Sequence, residues 1–340
     1  MSDSWVPDIL GKGFEQLTLP LGHDEEGPVV ATLVRSIPNQ LSRVTGPLAD
    51  VDVLYVHGWS DFFFQTELAR FWNRLGARFY ALDLRKYGRS LREGQTPGYT
   101  ESLQTYDEDI AAAREAMARG KDAAARRLVL LGHSTGGLTL TLWAARHPEA
   151  ASAVVLNSPW LELQVGAVGR QALAPLVGVR ARLDPLGTHP AVDLGFYTRA
   201  QTELGSLPAS LDLSLWRPER GFPTHPGWLN AVIQGHRTIA TGVEVGAPAL
   251  VLLSKRFASP FAWSDALTSS DSVLVVDDIA RAATRIGSLV TIARIDGAIH
   301  DVFLSAADPR AHAYAALERW IIGCLDPRHP VLFGATDPRG

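Results

Sequence analysis

The pentapeptide Gly132-His133-Ser134-Thr135-Gly136 combines residue types at a spacing that could do chemistry. It matches the G-x-S-x-G pattern of a nucleophile elbow, in which a serine lies at a sharp turn between a strand and a helix. The apolar run Leu128–Leu131 precedes it, and a helix-compatible run, Leu138–Arg146, follows it. The two glycines of the pentapeptide allow strand and helix to approach closely. Ser134 is therefore the predicted nucleophile.

A serine hydroxyl is a weak nucleophile at neutral pH and needs a general base within hydrogen-bond reach. His300 is the predicted base, because it follows the strand-like run Leu289–Ile295 in a loop that returns to the carboxyl edge of the sheet. His133 is expected to support the turn rather than accept the proton of Ser134. The other histidines considered lie in a turn, at a helix end, or in or after the last helix: His23, His147, His312 and His329.

The base in turn needs an acid that orients it, and this architecture has the chain order serine, acid, histidine. Asp271 is the predicted acid, because it lies between the strand-like run Ala249–Leu253 and the strand before His300. Three other carboxylates stay open as alternatives. Asp277 and Asp278 lie at the start of the next helix, where acids commonly cap the first turn, and Asp265 lies earlier in the same loop.

Two backbone amides are expected to bind the oxyanion that forms during acyl transfer. One is the amide of Thr135, the residue after the nucleophile. The other is the amide of Trp59 in the loop His57-Gly58-Trp59-Ser60, where Gly58 lets the backbone turn its amides toward the site. His57 is expected to support this loop.

The Trp59 side chain is expected to border the acyl pocket. Phe63 in the run Phe62-Phe63-Phe64, and Trp160, are further candidates for substrate binding. The alternative is that these aromatic residues pack an inserted segment on the core.

The elements that must position these residues indicate an α/β protein. An N-terminal hairpin is predicted from Gln16–Leu21 and Pro28–Ile37. Strands and helices then alternate, which predicts a parallel sheet. From about residue 162 to 242 this alternation stops in a stretch rich in proline, glycine and tryptophan, which favours short helices and loops. We therefore predict a core of residues 1–161 and 243–340, with 162–242 as an insertion.

Composition excludes several classes of partner. Lys and Arg total 32 and Asp and Glu total 36, a formal charge of −4, with no block of like charge to favour nucleic acid or an anionic membrane. The N-terminus lacks the pattern of a secretory leader, and no segment has the length of apolar sequence that a membrane span needs. The expectation is a cytoplasmic protein without an integral membrane segment. No metal-ligand spacing is present, so no metal is expected.

The motifs together resemble the α/β-hydrolase superfamily, in its monoglyceride-lipase-like and lysophospholipase-like branch of serine aminopeptidase S33 type. The resemblance is carried by His57-Gly58-Trp59, by the segment 83–90 with Asp83, Gly88 and Ser90, and by the Ser134 pentapeptide. It implies a mostly parallel eight-stranded sheet flanked by helices, a helical lid (162–242) inserted after the sixth strand, a Ser-Asp-His triad and no cofactor.

The leading functional hypothesis is a hydrolase that cleaves a small-molecule acyl or aryl ester through an acyl-enzyme on Ser134. An amidase or peptidase, a lactonase, an acyltransferase and a C–C hydrolase remain open, because they use the same triad. Dehalogenase and epoxide hydrolase chemistry is disfavoured, because those enzymes have an aspartate at the elbow. A protein that only binds a small apolar ligand is the alternative from a different class. The oligomeric state is left open by the sequence.

Overall fold

The computed structural model describes residues 4–119, 126–163, 166–188, 194–208, 211 and 213–325, with the side chains of 166–174 outside this description. The strands are β1 (Val6–Pro7), β2 (Glu15–Asp24), β3 (Gly27–Ser36), β4 (Val51–Val56), β5 (Arg78–Asp83), β6 (Arg127–His133), β7 (Ala153–Asn157), β8 (Ala249–Ser254) and β9 (Val290–Ile295). The helices are α1 (Gln40–Thr45), α2 (Thr66–Arg74), α3 (Tyr106–Met117), α4 (Thr135–Arg146), α5 (Gly166–Leu183), α6 (Phe196–Glu203), α7 (Pro226–Ala240), α8 (Val276–Ala283) and α9 (Ala307–Leu325).

All of these strands belong to one sheet with the order β1-β2-β3-β5-β4-β6-β7-β8-β9. The six strands from β5 to β9 in this order are parallel, and β1, β2 and β3 pair antiparallel at one end. The predicted fold class, a mostly parallel sheet flanked by helices, is confirmed. The predicted N-terminal hairpin is also present as β2 and β3.

In the part of the chain that the structure describes, the sheet has nine strands rather than the expected eight. The additional strand is β1, whose two residues pair with Glu15 and Gln16 of β2. A strand of two residues has no alternation of apolar and polar positions, so no sequence pattern predicts it. An ion pair holds its neighbour Asp8 in place, with the Asp8 carboxylate 2.7 Å from Nε of Arg89.

The core lies on both faces of the sheet. Alternate residues of β4 point to opposite faces: Val53 and Tyr55 to one, and Leu54 and Val56 to the other. Helices α2 and α9 cover the first face, and α3, α4, α7 and α8 cover the second. Because β4, β6, β7 and β8 are covered on both faces, they are mostly apolar and are buried at nearly every position rather than at alternate ones.

Between β7 and β8 the described part of the chain contains α5, α6 and α7 and no strand. Helix α7 begins at Pro226, a position where proline is tolerated because its missing N–H has no partner within the helix. Helices α5 and α7 are longer than the short helices expected here, with 18 and 15 residues. We refer to residues 162–242 as the insertion.

The carboxyl ends of the parallel strands meet at one edge of the sheet, and the predicted site residues follow them. Trp59 follows β4, Ser134 follows β6, Asp271 lies in the segment after β8, and His300 follows β9. Loops at this edge are the usual location of sites in open α/β sheets. The fold therefore directs the predicted residues to one end of the molecule.

Candidate active site

Ser134 lies alone between the end of β6 and the start of α4, in the geometry of a nucleophile elbow. Its backbone has φ 51° and ψ −116°, a conformation that non-glycine residues rarely adopt and that costs on the order of 1–3 kcal/mol. The turn is possible because its neighbours lack side chains. A Cβ on Gly136 would lie 2.3 Å from the carbonyl oxygen of His57, and one on Gly132 would lie 2.7 Å from Cα of Gly137.

Asp271 and His300 are hydrogen bonded to each other. Nδ1 of His300 lies 2.9 Å from Oδ2 of Asp271, and both side chains are buried. The other carboxylate oxygen of Asp271 accepts hydrogen bonds from the amides of Val273 and Leu274, at 2.7 and 2.8 Å. The carboxylate is therefore held in one orientation, and Nδ1 of His300 donates to it. This tautomer leaves Nε2 of His300 as a basic nitrogen.

The three alternative carboxylates have other environments. Asp277 lies in the first turn of α8 and forms an ion pair of 2.7 Å with Arg294. Asp278 pairs with Arg281 in the same helix. Asp265 is exposed and begins a short 3-10 turn, Asp265–Thr268. The structure therefore brings Asp271 to His300, while the other three belong to helix ends and surface pairs.

Asn157, at the end of β7, connects the turn at Ser134 (the serine turn) with the loop after β9 that carries His300 (the histidine loop). Its carbonyl oxygen accepts the amide of Ser134 at 3.0 Å and lies 3.1 Å from Nδ1 of His133. Its side-chain amide donates to Asp301 at 2.7 Å and accepts from the amide of Val302 at 3.2 Å. One residue thus fixes the backbone of Ser134 and the loop that carries His300. The sequence predicts no such role for Asn157, whose one signal is a polar residue at the end of a buried strand.

His133 also links the two segments. Its ring packs against the ring of His300 with centroids 5.0 Å apart, while its Nδ1 faces Asn157 as described. Burial, together with the nearby His300, lowers the pKa of His133 below its ordinary value. A neutral His133 avoids repulsion with a protonated His300, which suits a supporting role for this ring.

The loop after β4 lies directly against Ser134. A Cβ on Gly58 would be 3.1 Å from Cβ of Ser134, so only a glycine fits without displacement. Nδ1 of His57 donates to the carbonyl of Gly58 at 2.8 Å, and its Nε2 accepts the amide of Leu84 at 3.2 Å. Because the C=O and N–H of a trans peptide point in opposite directions, this directs the amide of Trp59 away from His57. Burial lowers the pKa of His57, consistent with this neutral form.

A buried charge network supports the segment that follows this loop. The Asp83 carboxylate accepts a hydrogen bond from the amide of Phe63 at 2.9 Å. It also forms an ion pair with Arg89 at 2.8 Å. Arg89 also donates to the carbonyl of Phe63 at 3.1 Å and pairs with Asp8 as described above. The segment around Asp83 therefore has a structural function: its charged side chains hold the backbone at Phe63.

The aromatic side chains beside the elbow meet the insertion. The ring of Trp59 lies 3.6 Å from the ring of Trp228 in α7, and Trp160 lies 6.1 Å from the same ring. Phe222 contacts Trp59 edge to face at 6.0 Å. The amide of Trp160 donates to the carbonyl of Ser134 at 2.9 Å. Trp59 and Trp160 thus lie next to the serine turn and contact α7 of the insertion.

Phe63 does not lie with them. It is fully buried in the core on the α2 side of the sheet, 5.5 Å from Tyr55 and 5.3 Å from Phe79. Phe62 and Phe64 point the other way and pack with insertion residues such as Trp216. Consecutive residues of an extended segment alternate in direction, so the middle phenylalanine faces the core. The proposed substrate contact of Phe63 is therefore corrected to a packing role.

Several insertion residues reach the site without a sequence signal. The hydroxyl of Tyr197 accepts the amide of Asp301 at 3.1 Å, and its ring packs edge-on against His300 at 5.5 Å. Arg217 pairs with Asp61 of the β4 loop at 3.2 Å, and the amide of Phe222 donates to Ser60 at 3.0 Å. Burial raises the pKa of Asp61 from 3.8 to about 6, against the attraction of Arg217.

No group of three or more His, Cys, Asp or Glu side chains in the part of the chain that the structure describes is arranged to hold a metal ion. Within the same residues, no helix has the length and hydropathy required to traverse a bilayer.

Solved structures with similar folds include lipases and esterases. A monoacylglycerol lipase from Paleococcus ferrophilus is 19% identical, with a TM-score of 0.60 over 86% of this chain and 99% of that chain. A soluble variant of monoglyceride lipase from Saccharomyces cerevisiae is 13% identical, with a TM-score of 0.64 over 91% and 96%. A thermostable carboxyl esterase from Bacillus coagulans is 14% identical, with a TM-score of 0.63 over 92% and 99%. At these identities the similarity establishes the fold.

No curated protein sequence matches this chain. A family model does match, and it covers residues 49–305, which include the β4 loop, Ser134, Asp271 and His300. The model is described as serine aminopeptidase, S33. The elbow, the sheet order and this match agree with the resemblance that the sequence motifs suggested. The chain therefore belongs to the serine aminopeptidase S33 family and has the α/β-hydrolase fold.

Proposed function

We propose that this protein is a serine hydrolase that cleaves carboxylic esters through an acyl-enzyme on Ser134. The observation that carries the proposal is the hydrogen bond between Nδ1 of His300 and Asp271. It leaves the other imidazole nitrogen basic, and the packing of His300 against His133 holds that imidazole beside the elbow. A strained serine, a base and an orienting acid are the groups that acyl transfer requires.

In the proposed first half of the reaction, Oγ of Ser134 attacks the ester carbonyl carbon while Nε2 of His300 takes the hydroxyl proton. The amides of Thr135 and Trp59 bind the oxyanion that develops on the carbonyl oxygen, and each such donor contributes about 10²–10³-fold in kcat. Asp271 stabilises the positive charge on His300. The tetrahedral intermediate then collapses, the bond to the alcohol oxygen breaks, and His300 gives its proton to that oxygen.

In the second half, water attacks the acyl carbonyl and His300 takes one of its protons. The second tetrahedral intermediate uses the same two amides. The bond between the acyl carbon and Oγ of Ser134 breaks, and His300 returns the proton to the serine. The products are a carboxylic acid and the free enzyme, so no cofactor takes part in the balance.

We assign the insertion, residues 162–242, the role of a lid over this site, with the core formed by 1–161 and 243–340. The contacts of Trp228 with Trp59 and of Tyr197 with His300 support it, because both join the insertion to a predicted site residue. Ser134 is only 8% exposed, and we expect the insertion to move when a substrate binds. Trp59 and Trp160 are the proposed substrate-binding side chains.

A peptidase is the second candidate, because the family is described as serine aminopeptidase. It uses the same proton transfers and differs in the leaving group, which is an amine rather than an alcohol. A lactonase or an acyltransferase also shares the acyl-enzyme. These reactions are distinguished by the substrate and by the acceptor of the acyl group, so they require direct measurement.

The test is hydrolysis of p-nitrophenyl esters from acetate to laurate, combined with labelling by a fluorophosphonate. We expect turnover of at least one ester and a single adduct that mass spectrometry locates on Ser134. Aminoacyl p-nitroanilides assayed in parallel test the peptidase candidate. Turnover of anilides alone would replace the esterase proposal, and absence of both turnover and the adduct would favour a ligand-binding protein.

A further inference from the structure

Arg217 is a buried charge that the protein leaves incompletely paired. The residue is 7% exposed, its Nε donates to Asp61 at 3.2 Å, and its Nη2 donates to the side-chain oxygen of Gln201. Its Nη1 has no hydrogen-bond partner among the residues that the structure describes. A buried donor on a charged group is costly to leave unpaired, because its interaction with water is lost on folding.

The position of Arg217 relates it to the proposed active site. Its guanidinium carbon lies 5.8 Å from the ring of Tyr197 and 6.0 Å from the ring of Phe64. The ring of Tyr197 is in edge contact with His300. Asp61, the ion-pair partner of Arg217, comes two residues after Trp59. One aromatic ring, that of Tyr197, therefore lies between the guanidinium and the proposed base.

The charges around Arg217 select the kind of atom that Nη1 would bind. The Asp61 carboxylate already balances the guanidinium, and Asp301 and Asp271 are two further buried carboxyl groups on the side of His300. An anionic substrate group would be repelled by these carboxylates, and removing its charge from water would cost further free energy. A neutral acceptor oxygen satisfies the donor without that cost.

We infer that Nη1 of Arg217 donates a hydrogen bond to an uncharged oxygen of the substrate that lies beyond the scissile ester. The substrate class is an ester whose acyl or alcohol part carries a hydroxyl, ether or second carbonyl oxygen. Arg217 is then a specificity-determining residue contributed by the insertion. This inference rests on the proposed ester hydrolysis, whose catalytic groups are separate from Arg217.

The experiment uses pairs of esters that differ by one oxygen in place of a methylene. One pair is butyl and 2-methoxyethyl hexanoate, and the other places the oxygen in the acyl chain. Both members compete in one reaction, so the ratio of kcat/KM does not depend on the fraction of folded enzyme. We expect the wild type to prefer the oxygen-containing member of at least one pair by about tenfold, the value of one hydrogen bond to a charged donor.

The variants are Arg217→Met and the double variant Asp61→Asn/Arg217→Met, which avoids leaving a buried carboxylate unpaired. In both, we expect the ratio to fall to about one while the hydrocarbon ester is still hydrolysed. Arg199→Met is the matched control, because Arg199 lies on the same insertion in an exposed pair with Glu203. It should keep the wild-type ratio.

Three results would overturn the inference: no preference in the wild type, a preference that survives in Arg217→Met, or a stronger preference for a hemisuccinate ester, which is anionic. Failure of the proposed function is distinguishable, because then no ester of any pair is turned over. In that case calorimetric Kd values of the same pairs on the Ser134→Ala variant test Arg217 directly. Equal Kd values for both members would again overturn it.

Discussion

The two sides of the candidate site differ in how the chain builds them. On the core side, Ser134, Asp271 and His300 follow parallel strands; backbone amides hold the Asp271 carboxylate, and that carboxylate holds His300. On the insertion side, Tyr197, Arg217 and Trp228 reach the site from helices and turns with no repeating pattern. If the proposed function holds, the chemistry depends on the sheet edge and we expect substrate selection to depend on the insertion. Changes on the two sides should therefore have effects of different size and kind.

The largest effect is expected on the core side, from Asp271→Asn. The amide no longer fixes the tautomer of His300 or stabilises its charge, so we expect kcat to fall by about 10⁴-fold. Asp277→Asn is the matched control, because Asp277 is 71% exposed and pairs with Arg294, and its kcat should change less than twofold. Steady-state kinetics on the best ester of the series gives both values. Equal losses in the two variants would contradict the assignment of the acid.

Asn157→Ala tests the residue that joins the serine turn to the histidine loop. It removes the donor to Asp301 and the acceptor for the amide of Val302, while the backbone carbonyl that holds Ser134 stays. We expect the free energy of unfolding to fall by about 2–3 kcal/mol and kcat by about 100-fold, because misplaced catalytic groups react slowly. Chemical denaturation and kinetics measure the two effects.

Asn73→Ala is the control for that variant. Asn73 lies in α2 and bonds to Ser36 at 2.6 Å, away from the elbow. It should lower stability with kcat unchanged. If Asn157→Ala behaved in the same way, Asn157 would be a purely structural residue.

A smaller effect is expected on the insertion side, from Tyr197→Phe. The ring that contacts His300 is retained, and only the acceptor for the amide of Asp301 is lost. We expect kcat to fall about tenfold with KM within twofold, because one hydrogen bond to the histidine loop is removed. Tyr99→Phe is the control, since its hydroxyl bonds to Glu101 at 2.7 Å outside the site. A change in KM alone would assign Tyr197 to substrate binding instead.

The smallest effect on activity is expected from Asp61→Asn. This variant is tested instead through the pH dependence of the free energy of unfolding. The folded pKa of Asp61 is about 6 and the ordinary value is 3.8, so folding takes up a proton between these values. The contribution of this carboxyl to the free energy of unfolding is therefore fully present below about pH 4, and it is lost as the pH rises through about 6. The groups that face it are Arg217, His133 and Asp301.

Asp61→Asn removes this dependence. We expect the variant to gain stability relative to the wild type by about 3 kcal/mol between pH 4 and pH 8, measured by denaturant unfolding across that range. Asp296→Asn, at an exposed carboxyl whose pKa is lowered by Lys255 and Arg256, should show no such gain. A wild type that gained stability relative to Asp61→Asn as the pH rises would mean that the pair with Arg217 outweighs burial.

The features predicted from sequence are those that depend on local pattern. The elbow follows from an apolar strand, two glycines and a helix, and the order of elements along the chain predicts Asp271 and His300 after two strands. Phe63 was misplaced because the direction of a side chain in an extended segment depends on its alternation relative to the core. Tyr197 and Arg217 were missed because their contacts join residues far apart in the chain. Strand β1 is not predicted, because two residues are too few to show the alternation of apolar and polar positions that indicates a strand.

We expect the location of β9 at the edge of the sheet to give the candidate site a temperature dependence of its own. This strand pairs with β8 on one side, most of its residues are partly or fully exposed, and His300 follows it by five residues. Edge elements with few buried contacts open more readily than a central sheet. On heating, the proposed base should leave its position before the core unfolds. Catalysis would then fade reversibly below the melting temperature, and rapid cooling would restore it without refolding.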